Sequence, residues 1–141
     1  MIYLGKVLRD LWILTANGVV LYSRVVDERI NPQLFGALMS ALNTFAEKLT
    51  NGGISNFEMS EMRFVLVRRR DFLFIGSSSN KTKEKKVIEE LKNISDKFFE
   101  IYPQEKLLRW DSDVSIFSNF GEYIEKSLDK HAAERMKDAF Y

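Results

Sequence analysis

The chain has 141 residues, the length of one ordinary domain, able to bury roughly 68–70% of its unfolded surface. Lys and Arg number 21 against 20 Asp and Glu, so the basic excess of a dedicated nucleic-acid binder is missing. There is no cysteine, which excludes a disulfide scaffold, a thiolate zinc site and a cysteine nucleophile.

The opening MIYLGKVLRDL has no apolar run long enough for a signal peptide, and no segment approaches the roughly 18 apolar residues of a membrane span. A cytoplasmic location, at most peripheral to membranes, is expected. Leu11-Trp12-Ile13-Leu14 and Val19 to Val26 are two apolar runs, and Asn17-Gly18 between them suits the positive φ angles of a two-residue hairpin turn. Asn31-Pro32 then reads as an N-cap followed by proline at the first helical position. Phe35, Leu38, Met39, Leu42, Phe45, Ala46 and Leu49 recur at spacings of three and four, so they predict the core stripe of a helix that Asn51-Gly52-Gly53 stops.

Three strands follow. Phe57 to Glu61 alternates, whereas Arg63 to Val67 and Phe72 to Ile75 are apolar on both faces. Between the last two stand Arg68, Arg69 and Arg70, where a hairpin leaves the core. Ser77-Ser78-Ser79 is expected to lead into a second helix with a stripe of Val87, Ile88, Leu91, Ile94, Phe98 and Ile101/Tyr102, ended by Pro103. A charged loop from Gln104 to Asp113 precedes a last helix carrying Ile116, Phe117, Phe120, Ile124 and Leu128. No internal repeat or low-complexity linker interrupts the chain.

The expected fold class is α+β with element order ββαβββαα. Strands apolar on both sides belong in the centre of a sheet covered on both faces. That places the first, fourth and fifth strands inside an antiparallel sheet of order 2-1-5-4-3, with one helix on one face and two on the other.

The hairpin across Asn17-Gly18, the Asn31-Pro32 helix, the block FVLVRRRDFLFIG, the helix running to Phe98-Phe99-Glu100-Ile101-Tyr102 and the closing Phe117-Ser118-Asn119-Phe120 together resemble a longin-like domain. This is the profilin-like fold of the SNARE-like superfamily. The chain is similar in length and closing segment to the small subunits of clathrin-adaptor and coat complexes, and to stand-alone longin proteins. On that resemblance residues 1–128 form the longin-like domain and 129–141 a C-terminal helical extension. The resemblance implies no catalysis and no cofactor. It implies an adaptor or small-GTPase-associated scaffold in membrane trafficking or signalling, with a small GTPase, a coat or tether, or a roadblock- or longin-like subunit as protein partner, or a second copy as a homodimer. The alternative is a homo-oligomeric structural domain or a small-molecule sensor of PAS or roadblock-like type.

The residues themselves offer little chemistry. His131 has no plausible nucleophile near it in sequence and reads as solvent-facing. The segment Gly76 to Thr82 lacks the glycines of a phosphate loop, and Asp111 with Asp113 lacks the further carboxylates of a calcium loop. Two features remain as candidate contacts. From Ile30 to Ala46 no residue is charged, and the side of the helix away from the stripe offers Gly36, Ala37, Ser40, Ala41 and Thr44. Small neutral residues allow close approach, so this face is expected to be covered by a partner, a second copy or the C-terminal extension, unless it is simply a tolerant surface. Arg68, Arg69 and Arg70, with Lys81, Lys83, Lys85 and Lys86, are either solvated charges or an electrostatic contact with an acidic partner or anionic lipid.

Overall fold

The computed structural model describes residues 7–26, 31–51 and 54–124. The expected extension 129–141, Leu128 and His131 lie outside these residues.

Five strands form one antiparallel sheet: β1 (Asp10–Thr15), β2 (Val20–Arg24), β3 (Asn56–Met59), β4 (Met62–Arg69) and β5 (Phe72–Ser79). Their order is β2-β1-β5-β4-β3, as expected, with the alternating strands at the edges. Helix α1 (Pro32–Leu49) follows β2, and α2 (Glu84–Ile101) follows β5. The segment read as a charged loop contains a short helix, α3 (Gln104–Leu108), where Pro103 provides the N-cap. Ile116 and Phe117 fall in a 3₁₀ turn (Val114–Phe117), and residues 120–124 are helical.

The period-two alternation of the strands sorts side chains to the two faces. Leu11, Ile13, Val65 and Phe74 meet Leu91, Ile94 and Phe98 of α2, and Phe117, Phe120 and Ile124 complete that layer. Trp12, Leu14, Phe64, Leu66, Leu73 and Ile75 line the opposite face, where Met39 of α1 joins them. Both faces are therefore filled, each by apolar burial.

Two local expectations are corrected. Ser77 and Ser78 are buried in β5 rather than leading into α2. The central position of β5 explains this: its backbone pairs with β1 and β4, and the Ser77 hydroxyl donates to Asp10 Oδ2 at 2.7 Å. That buried carboxylate also accepts from the Val26 amide at 2.7 Å, so it ties the end of β2 to the sheet. The first hairpin turns through three residues, not two. Thr15 N–H bonds Val19 O, Gly18 N–H bonds Thr15 O, and only Gly18 takes a positive φ, of 94°.

Candidate interaction surface

Helix α1 sits on the sheet rotated about its axis from the seating expected, so that only part of the expected stripe faces inward. Asn31 caps it, its Oδ1 accepting from the amides of Gln33 (3.0 Å) and Leu34 (3.2 Å). Its buried residues are Gly36, Met39 and Asn43. Gly36 lies against Gly18 and Val20, and the Ser40 hydroxyl donates to Ala16 O at 2.8 Å. The Gln33 amide bonds both backbone groups of Val20, at 3.2 and 3.3 Å. Small and polar residues thus face the β1–β2 hairpin, because only they let the helix come so close.

The apolar stripe points outward in consequence. Leu34 is 71% exposed, Leu38 55%, Phe45 63% and Leu49 70%. Leu42, at the margin, is 36% exposed. Of the seven residues expected to form the core stripe, only Met39 is buried, while Phe35 and Ala46 are half-buried. These five large residues lie one turn apart and span about 22 Å of helix. Of the residues expected at a partner face, Gly36 and Ser40 are engaged within the domain. Ala37, Ala41 and Thr44 are exposed and border the stripe. The stripe was hidden in the sequence because its spacing is that of any core face. The signal in the sequence was the absence of charge from Ile30 to Ala46, on the outward side of the helix as well as the inward one.

On the same side of the fold, β3 is an edge strand. Among the described residues it pairs only with β4, and Phe57 stacks on Phe64 at 4.7 Å between ring centroids. Its other backbone edge is the kind of surface on which a further strand can be added.

The three arginines are not a free cluster. Arg68 pairs with Glu47 of α1, and Arg69 pairs with Asp96 of α2. Arg69 also donates to the buried Ser95 hydroxyl at 2.7 Å. Arg70, with φ 57°, places its guanidinium 4.3 Å from the centre of the Phe99 ring. The hairpin tip therefore reaches both helical layers. The lysines differ: Lys81, Lys83, Lys85 and Lys86 are all exposed, and among the described residues none makes an ion pair.

Asp111 and Asp113 serve the 3₁₀ turn. The Asp113 amide donates to Asp111 Oδ1 at 3.1 Å, and Asp113 Oδ1 accepts from Ser115 N at 3.0 Å. The bonds to Ser115 hold the Asp113 carboxyl below its ordinary pKa. Burial, with a smaller contribution from Tyr123, raises that of Tyr102, whose hydroxyl donates to Ile116 O at 3.1 Å. Among the described residues no three His, Cys, Asp or Glu gather as a metal set would, and no helix is long and apolar enough to cross a membrane.

Residues 9–110 match the family of the first longin domain of FUZ, MON1 and HPS1. The chain belongs to that longin family. This longin domain is also similar in fold to Myxococcus xanthus MglB, with a TM-score of 0.55 at 16% identity over 67% of this chain and 83% of that one. It is similar to an MglB with tetrameric arrangement (TM-score 0.51, 14% identity, 64% of this chain and 74% of that). A Roadblock/LC7 domain from Streptomyces avermitilis is a third (TM-score 0.51, 12% identity, 66% of this chain and 87% of that). No curated protein matches the longin domain in sequence.

Proposed function

We propose that this longin domain is a non-catalytic pairing module whose α1 stripe and β3 edge receive a second longin- or roadblock-like domain, forming a scaffold for a small GTPase. The observation that carries this reading is the exposure of Leu34, Leu38, Phe45 and Leu49 on one face. Burying such residues stabilises a complex by roughly 1.5–3 kcal/mol each at full burial. The helix holds no charge before Glu47, so two such helices can meet without like-charge repulsion. The outer edge of β3, unpaired among the described residues, allows the sheet to continue into the partner. A solved MglB of the same fold is described in a tetrameric arrangement, which supports assembly as a use of this fold. The small GTPase is the partner that the longin resemblance suggests. Filled packing on both sheet faces argues against the sensor alternative, which requires an enclosed cavity.

The test is the mass in solution of the chain, alone and mixed with a longin- or roadblock-type subunit, for the native sequence and for Leu38→Glu and Phe45→Glu. Assembly above the 16.5 kDa of one chain, lost in both variants while the circular dichroism spectrum is kept, is expected. Assembly that survives both substitutions refutes the surface. A pull-down with GDP- and GTP-loaded GTPases then tests the scaffold role.

A further inference from the structure

The four lysines at 81, 83, 85 and 86 are unexplained by the fold. They stand on the loop before α2 and in its first turn, where cations oppose the helix dipole. The loop is held rigid. Arg63 donates to Thr82 O at 2.8 Å and to Asn80 O at 3.4 Å, Asn80 N–H bonds Glu61 O at 3.0 Å, and Asn80 Nδ2 bonds Ser60 O at 3.2 Å. The lysines are thus presented from a fixed base at the end of the sheet remote from the arginine hairpin, about 25 Å along β5.

Beside them opens a cleft of about 470 Å³, lined by Arg9 and Lys81 with Ser78, Ser79, Asn80 and Thr82 among its walls. Its size falls within the range of small-molecule sites. Of the acids nearby, Asp10 lies 3.9 Å from Arg9 Nε, Glu61 lines the cleft, Glu84 is held by Asn56 Nδ2 at 3.0 Å, and Glu89 is exposed one turn along α2 from Lys85. Among the described residues none of them makes an ion pair with a lysine of this corner. The loop and first turn expose no large hydrophobic residue, whereas protein interfaces gather apolar groups at their centre. Lysine, a point charge on a long stem, suits mobile headgroups better than a fixed bidentate site.

We propose that this corner is a contact for the phosphate headgroups of an anionic membrane, with the cleft between Arg9 and Lys81 seating one headgroup and the remaining lysines meeting its neighbours. The site shares no residue with the α1 stripe, so the two contacts can be tested separately.

Sedimentation with phosphatidylcholine vesicles, with and without phosphatidylserine, tests it. Binding is expected only with phosphatidylserine, released by high salt, and roughly tenfold or more weaker in the Lys81→Gln/Lys83→Gln/Lys85→Gln/Lys86→Gln variant. The mass in solution of that variant should equal that of the native chain, which separates this site from the pairing surface. Equal binding to neutral vesicles, or undiminished binding of a folded variant, overturns the proposal. So does protection of the chain by inorganic phosphate without any vesicle binding, which would assign the cleft to free phosphate.

Discussion

Gly36 and Gly18 meet backbone against backbone: a β-carbon added to Gly36 would lie 2.7 Å from the Gly18 carbonyl oxygen and 2.6 Å from a methyl group of Val20. This approach sets the rotation of α1 about its axis. A larger residue at 36 cannot enter without moving the helix or the hairpin. Gly36→Val should therefore destabilise the domain by about 1–3 kcal/mol, read as a lower urea midpoint. An unchanged midpoint would show that the contact does not seat α1.

Neighbouring residues on α1 should respond in opposite ways. Met39 is 1% exposed and is the one large apolar residue of α1 that is fully buried. Met39→Ala should cost about 2–5 kcal/mol, whereas Leu38→Ala, on the exposed stripe, should stay within about 0.5 kcal/mol. Thermal unfolding of the two variants side by side checks the rotation directly, because a helix seated on the expected stripe would bury both residues and make both substitutions costly.

Arg69 and Asp96 should couple, though modestly. The pair is partly exposed, so a double-mutant cycle with alanine at each position should give about 0.2–1 kcal/mol, shrinking with added salt. Arg69→Ala alone should cost more than Asp96→Ala, since it also removes a donor from the buried Ser95 hydroxyl. Equal single-mutant losses with no coupling would return the arginines to a purely solvated tip.

Asp113 ties the closing segment to pH. Its pKa is lowered in the folded state by the bonds to Ser115, so the ionised form contributes stability above the ordinary carboxylate pKa. That contribution should fade as pH falls through the folded value. Asp113→Ala should flatten this part of the stability profile in acid and leave the neutral-pH spectrum of the sheet unchanged. A profile identical to that of the native chain would show that the cap contributes nothing.

Strand character made the architecture legible. Runs apolar on both faces, Arg63 to Val67 and Phe72 to Ile75, belong in the centre of a sheet, and the order β2-β1-β5-β4-β3 follows. The helix stripe of α2 was equally clear, because Val87, Leu91, Ile94 and Phe98 lie on its one apolar side. In α1 the same rule misled. Leu38, Leu42, Phe45 and Leu49 have core spacing, yet periodicity reports that a face is apolar without saying what covers it.

The sequence by itself thus determined the element order, the central and edge strands, the Asn31 cap and the uncharged run from Ile30 to Ala46. Each of these rests on local propensity or on patterns a few residues long. Tertiary structure alone decided which side of α1 faces inward, since that depends on Gly18 and Gly36, 18 residues apart, meeting in space. It also decided that Arg68 and Arg69 pair with Glu47 and Asp96, while the lysines before α2 have no ionic partner among the described residues. Charges close in sequence were sorted by the elements folded against them, and one-dimensional spacing holds no record of that.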